Sequence, residues 1–242
     1  VHPLLLAVGS ERYTPYLKEK RPAELLTQAN RILGTGQLSL AKYLFISGDD
    51  SGKLNCHEIE KFLVHIFERI DFSRDLHYYT KTSIDTLDYS GEGLNEGSKL
   101  VLAAYGDKKR DLCTELPDVL KEGRLIFPGV VMLVFPPFEN YETANVEIEK
   151  FAQTCKGLKT VAQIVLLDEF SFGVDILRDY LWITYTRSNP SHDVYGVDSF
   201  YENKHWGCTG PLIFDARKKP HHAPELRMDR DVEVKASQKI NP

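Results

Sequence analysis

In NCHEIEKFLVHIFERI the apolar residues Ile59, Phe62, Leu63, Ile66, Phe67 and Ile70 recur at 3.6-residue spacing, which predicts an amphipathic helix. Asn55 reads as its N-cap, with Glu58 three positions on completing a box-like cap. A second helical face runs through Leu177, Tyr180, Leu181 and Tyr185, and a third through Ala144, Ile148, Phe151, Ala152 and Cys155. PAELLTQANRIL (22–33) opens on a proline and stops at GTG, which predicts a fourth helix. Unbroken apolar runs read as strands: KYLFIS (42–47), VAQIVLL (161–167), and FPGVVMLVF (127–135) as one buried strand closed by Pro136–Pro137. Strands alternating with helices of this length predict a layered α/β fold. The tail beyond Pro220 is polar and is expected to wrap the surface.

The pattern occurs twice. An offset of 118 positions carries Asp50 onto Asp168, Leu63 onto Leu181, Phe67 onto Tyr185, Arg69 onto Arg187, Ser73 onto Ser191 and Asp75 onto Asp193 without a gap. With a gap of eight, GSKLVLAAYGDKK (97–109) meets GCTGPLIFDARKK (207–219). Apolar matches at helical spacing are cheap, but the polar ones are not. The chain therefore reads as a layered sheet with packed helices, built from two similar β-α-β units. Residues 1–135 and 136–242 form the two units, which can close into one compact domain.

Composition narrows the classes. The 242 residues are 42% apolar and 27% charged, ordinary globular values, and long enough to bury a full core without a metal or disulfide. A net charge of -5 argues against a broad nucleic-acid footprint. No apolar run approaches the eighteen residues of a transmembrane helix. Cys56, Cys113, Cys155 and Cys208 are widely and irregularly spaced, which points to a reducing, cytoplasmic setting. Val1 leads almost at once into a strand-like run, so the chain reads as part of a longer protein.

Candidate chemistry is sparse. KHWGCTGPLIFDARKKPHH (204–222) places His205 and Cys208 before an apolar strand and His221–His222 after it. A strand of four or five residues spans about 15 Å, so one tetrahedral zinc shell is not expected. Arg69/Asp75 and Arg187/Asp193 read as charge-assisted pairs tying down the exit from each helix. Asp49–Asp50 and Asp168–Glu169 follow strand ends, where open sheets place ligands, but are read first as solvated or capping acids. The stretch SIDTLDYSGEGLNEGSK (83–99) carries Gly91, Gly93, Gly97 and Ser98 before Lys99. It reads as a flexible loop, or as one that turns N–H groups and an ammonium toward an anion. Cys56 has no evident base partner, and His57 and His65 read as solvated or hydrogen-bonded.

NPSHDVYGVDSFYENKHWGC and LIFDARKKPHHAPEL resemble the C-terminal region of the UbiD-type carboxy-lyases, the 3-polyprenyl-4-hydroxybenzoate decarboxylase family, as do HPLLLAVGS and ILGTGQLSLAKYLFI. The resemblance covers nearly the whole chain and points to a longer branch of the family. Thr186, Arg187, Pro190 and Asp193 match its TR..P..D pattern, while Ile84, Leu87, Asp88, Gly97, Ser98 and Lys99 match its glycine-rich loop. It implies reversible loss of CO2 from an aromatic or α,β-unsaturated acid, with prenylated FMN and a divalent metal (manganese) held mainly by an upstream domain. It implies no catalytic or metal-binding residue in this chain. Lys99, with Ser98 and Gly97, inherits the cofactor-phosphate contact, and Lys204 or Lys218 would replace it if the second repeat faces the cofactor. The implied setting is quinone biosynthesis, and the implied partners are the upstream domains, a homo-oligomer and the small acid. The alternative is a non-catalytic Rossmann-like ligand-binding or oligomerisation module.

Overall fold

The computed structural model describes residues 3–13, 16, 18–91, 93–170, 176–224 and 229–240. The first repeat runs β1 (Leu4–Gly9), α1 (Glu24–Leu33), β2 (Tyr43–Gly48), α2 (Ile59–Arg69), β3 (Leu76–Ser83) and β4 (Glu96–Ala104). A hairpin, β5 (Arg124–Phe127) and β6 (Val130–Val134), opens the second. It continues through α3 (Tyr141–Thr154), β7 (Gln163–Leu167), α4 (Ile176–Arg187), the one-turn α5 (Pro190–Asp193) and β8 (Val194–Gly196). A second hairpin, β9 (Ser199–Glu202) and β10 (His205–Cys208), precedes β11 (Leu212–Asp215) and α6 (Arg230–Ile240).

Beside that second hairpin, two larger sheets form, β1-β2-β4-β3 and β5-β6-β7-β11-β8. In each, three strands run parallel and the last edge strand, β3 or β8, is antiparallel. Register carries the duplication. Ile46 lies opposite Ala103 and Ile164 opposite Ile213, the positions that the 118-residue offset and its gap of eight relate. The edge strands differ, since Leu76 faces Leu102 whereas Val194 faces Phe214, two positions further along. The β5–β6 hairpin, which precedes residue 136, belongs to the second sheet.

Strand alternation sorts the core into three clusters. Tyr43, Phe45, Leu100 and Leu102 of the first sheet and Val130, Met132, Val165, Leu212 and Phe214 of the second share one cluster. Between the sheets it takes in Phe62, Leu63, Ile66 and Phe67 of α2 and Tyr180, Leu181 and Tyr185 of α4. The outer faces carry Leu44, Ile46, Val101 and Ala103 under Leu25 and Ala29 of α1, and Val131, Ile164, Leu166 and Ile213 under Ile148 and Ala152 of α3. The order is helix, sheet, helix pair, sheet, helix. Parallel strands covered on both faces are apolar throughout, which is why VAQIVLL shows no alternation.

Two local expectations are corrected. FPGVVMLVF is a hairpin rather than one strand: Gly129 turns the chain at φ 78°, a conformation glycine adopts without a Cβ clash, and β5 folds back on β6. Helix α2 starts at Ile59, because Asn55 closes the preceding turn instead of capping the helix. Its Oδ1 accepts from the His57 N–H at 3.0 Å and its carbonyl from the Glu58 N–H at 3.1 Å. The tail contains a helix, α6, and residues 225–228 before it lie outside the described residues.

The expected Arg–Asp pairs do not form. Arg69 donates to the His65 carbonyl and to Glu68, and Arg187 lies 3.9 Å from Asp168. The aspartates serve the backbone instead. Asp75 Oδ2 accepts from the Asp71 N–H at 3.0 Å and Asp193 Oδ2 from the Asn189 N–H at 2.6 Å, an equivalent bond in each repeat. Each carboxylate closes the turn from helix to edge strand, as an acceptor for a donor that the finished helix leaves unpaired. Their ionic partners differ: Arg74 at 2.5 Å for Asp75 and Lys219 at 3.3 Å for Asp193.

Candidate functional site

Charge is buried where the two repeats meet. Lys42, at the entry to β2, is fully buried with its Nζ 2.8 Å from Asp88 and 2.5 Å from the Ser90 hydroxyl. Asp88 also accepts from the Ser90 N–H and Oγ, so this pair pins the β3–β4 connection onto the sheet. Burial lowers the Lys42 pKa, and the Asp88 carboxylate works against that shift. On the other side Lys219 reaches Asp193 and donates to the Asp215 carbonyl at 2.9 Å. Arg217, also fully buried, grips Asp215 through Nε and Nη2 at 2.8 and 2.9 Å, donates to the Pro136 carbonyl, and lies over the Phe135 and Phe138 rings. Burial raises the Asp193 carboxyl to about 6, with Lys219 pulling the other way.

The three residues expected to meet a phosphate lie at the same junction, in strand rather than loop. Gly97 packs so that a Cβ would sit 2.7 Å from Ile84 Cδ1. Ser98 donates its backbone N–H to Asn189 Oδ1 at 3.1 Å and its hydroxyl to the same oxygen, while accepting from the Ser191 N–H at 2.8 Å. Lys99 is 5% exposed, and its ammonium donates to the carbonyls of Ser39 at 2.7 Å and Ala41 at 3.2 Å. Burial lowers its pKa. The backbone reason is plain: β4 begins at Glu96, so the loop ends before the lysine.

The other candidates are dispersed. Asp49 accepts from Ser51, Lys53 and Leu54 and folds its own loop, while Asp50 pairs with Lys20 and Tyr105. Asp168 accepts from the Lys218 N–H, and the Lys218 ammonium lies 3.5 Å from Glu169. Lys204 sits at positive φ in the β9–β10 turn, exposed. His205 faces His77, Cys208 donates to the Gly210 carbonyl, and His221 and His222 meet edge to face near Lys219. The described residues hold no group of three or more His, Cys, Asp or Glu side chains placed for a metal. Burial pushes the Cys208 thiol up to about 12, which keeps it protonated at neutral pH. Sequence reasoning missed Lys42, Asp88 as its partner, and the Asp215–Arg217–Lys219 run. The last was visible as a D-x-R-x-K alternation that leaves the end of β11.

Residues 1–104 match the family model for the 3-octaprenyl-4-hydroxybenzoate carboxy-lyase C-terminal domain. The match ends at the last residue of β4 and so covers the first repeat. Along 98% of its length the chain is 31% identical to a 4-hydroxybenzoate decarboxylase subunit of Chlamydia pneumoniae, of which it covers 38%. The first 104 residues thus match the C-terminal domain of the UbiD-type carboxy-lyases. An uncharacterized protein of Chlamydia caviae is 32% identical over 99% of the chain and 39% of its own length. The chain thus spans about two fifths of these curated relatives. The solved open form of Sedimentibacter hydroxybenzoicus vanillic acid decarboxylase aligns over 68% of this chain and 45% of that one, at 11% identity and a TM-score of 0.30, too distant for comparing atoms.

In this chain the donors expected for prenylated FMN do not fit a phosphate as they stand. A phosphate cradle needs N–H groups and an ammonium facing a common space. Here the Ser98 N–H and hydroxyl are taken up by Asn189, and two of the three Lys99 donors by backbone carbonyls. The junction is a paired structural network. Asp193 Oδ1 has only the Lys219 ammonium beside it, and His222 Nε2 is buried without a hydrogen-bond partner.

Proposed function

We propose that this chain is the C-terminal, positioning part of a prenylated-FMN-dependent decarboxylase acting on an aromatic or α,β-unsaturated carboxylic acid. The observation that carries the reading is end-to-end similarity to about two fifths of a 4-hydroxybenzoate decarboxylase subunit. In this reading the reacting groups, the cofactor and its manganese belong to the rest of the protein. The partners are that preceding part and a further copy of the chain, in the cytoplasm. The buried ion pairs at the repeat junction, Lys42 with Asp88 and Arg217 with Asp215, support a positioning role, because a hydrogen-bonded buried network fixes geometry. The 242-residue chain, given prenylated FMN, manganese and a panel of aromatic and unsaturated acids, should release no CO2 above background. Joined to the preceding region of its relatives it should turn over. Turnover by the chain alone overturns the reading.

The same reading assigns Gly97, Ser98 and Lys99 to the joint between repeats. Lys99→Ala in the full-length enzyme should lower its melting temperature and leave cofactor occupancy unchanged. Unchanged stability with tenfold or greater loss of occupancy would return the lysine to a phosphate contact, at about 1.4 kcal/mol per factor of ten.

A further inference from the structure

Past the carboxyl end of β2, where open sheets place ligands, the first repeat opens a cleft that the junction does not use. It holds about 310 Å³, at the lower end of small-ligand sites, between the 49–55 loop and the polar side of α2. Lys42 and Lys99 stand level with each other at the opposite end of the sheet. The six residues of β2 separate them from the cleft, roughly 20 Å, so this space is distinct from the segment expected to meet the cofactor phosphate.

Three cations line it. Lys61, His65 and Arg69 recur every fourth residue, which stacks them on one stripe of α2, and Lys53 comes from the loop. Burial holds His65 below its usual pKa, so the charge of the stripe at pH 7 is that of Lys61 and Arg69. Arg69 is fixed by one corner of its fork. Its Nη1 donates to the His65 carbonyl at 3.1 Å and to Glu68 at 3.0 Å, while Nε and Nη2 have no partner among the described residues. The Lys53 ammonium has none there either; only its backbone N–H is engaged. The carboxylates of the cleft are already committed. Asp49 accepts from the Ser51 hydroxyl at 2.6 Å and from the N–H groups of Ser51, Lys53 and Leu54. Those bonds, the Ser51 hydroxyl first, hold its carboxyl far below the usual range. Glu58 meets Lys61 at 3.1 Å in an exposed pair, which contributes little.

These cations are not part of the repeated unit. At the 118-residue offset Lys53 and Lys61 fall on Ser171 and Asp179, and only Arg69 has a basic counterpart, Arg187. The fold is made twice and the charges of the cleft once, so packing does not call for them. An arginine fork presents parallel donors to phosphate oxygens, and a lysine adds a point charge without fixed geometry. Leu54 is the one apolar residue of the lining, so the cleft selects for charge rather than for an apolar body. We propose that it binds a pyrophosphate group, its oxygens on Arg69 and Lys53 with the Asn55 side-chain amide beside them. The group can come as free pyrophosphate or as the phosphate end of a nucleotide. The inference stands on the cleft alone and does not depend on the decarboxylase reading.

Calorimetric titration of the 242-residue chain with sodium pyrophosphate at low salt should show one saturable site, with a Kd near or below about 1 mM. Titration with ADP tells the source: binding at least as tight assigns the site to a nucleotide, and weaker binding assigns it to free pyrophosphate. Adenosine, the nucleoside without the charge, should give no saturable heat. In the unaltered chain, amide shifts on adding pyrophosphate should concentrate in residues 49–55 and 61–69. Lys53 and Lys61 are exposed, so Lys53→Gln and Lys61→Gln should each weaken binding about tenfold and keep the far-UV melting curve. Lys159→Gln, at an exposed lysine of the second repeat, should change neither. No saturable heat from pyrophosphate or ADP, or amide shifts scattered over the surface, overturns the proposal. So does adenosine binding as tightly as ADP, an equal loss in Lys159→Gln, or full affinity in both cleft variants with the fold intact. None of these readouts involves CO2 release.

Discussion

Asp75 and Asp193 occupy matching turns and answer pH in the same direction. Burial raises each carboxyl from 3.8 to about 6. Between those values the folded chain holds protons that the unfolded chain has released, so stability falls as pH rises from about 4 to about 6 and is level above. His77 and His222 oppose this. Burial lowers them to about 4 and about 3, so the unfolded chain binds their protons first and stability rises over the same interval. The paired variant Asp75→Asn/Asp193→Asn removes the first trend and keeps the second. Urea midpoints at pH 4, 5, 6 and 7 should therefore climb more steeply in the variant than in the unaltered chain, by order of 2–3 kcal/mol for each aspartate across the interval. Parallel curves would show that neither aspartate titrates there. The importance of these aspartates was legible in the sequence, since a polar residue repeated at a fixed offset has a reason. Their partners were not. The nearest basic residue in sequence at matching places is an arginine six positions back, while the actual partners are an adjacent Arg74 and a Lys219 brought in from beyond β11.

Elements with long periodic faces emerged where the pattern put them, because burying four or five large side chains outweighs any local preference. The misread ones were short, and each was decided by a single backbone event: a positive-φ glycine at 129, an Asn55 turn, a strand that starts one residue before Gly97. The β3–β4 connection is the clearest case. Rich in glycine and polar residues, it reads as a mobile loop, yet one buried ion pair ties it down. Lys42→Met would leave Asp88, 5% exposed, without its cation. Removing one partner of a buried pair costs about 3–5 kcal/mol, and the apolar methionine returns part of that through packing. The expected result is a loss of about 2–3 kcal/mol in urea unfolding, with amide exchange faster across residues 84–95 than in β2. Uniform change across the chain would mean that the pair stabilises the sheet rather than its connection. Lys42→Met/Asp88→Leu should recover much of the loss, as buried pairs replaced by apolar residues often do.

At the scale of the whole chain the duplication matters less as history than as a joint. Tyr43 of the first repeat packs edge-on against Tyr185 of the second, with centroids 5.0 Å apart, and its hydroxyl lies 2.6 Å from the Ser188 Oγ. Phe45 meets Phe67 and Tyr185 in the same cluster. The buried faces of α2 and α4 belong to one cluster shared by both sheets, and Tyr185 of α4 packs on Tyr43 and Phe45 of the other repeat. A cut at 135/136, the boundary that the sequence repeat suggests, would also take the β5–β6 hairpin away from the sheet it completes. We therefore expect one cooperative transition. Far-UV ellipticity and tryptophan emission should trace the same urea curve, and residues 1–135 or 136–242 made separately should show no sigmoidal unfolding. The tryptophans suit the test, since Trp182 and Trp206 both belong to the second repeat, while ellipticity sums helices from both. Two separated midpoints, or a cooperative transition in either fragment, would show that each repeat holds its own core. The slope offers an independent check, because it scales with the surface exposed on unfolding. A slope matching the full 242 residues requires both sheets to open together, whereas a value near half would place the repeats in separate folding units.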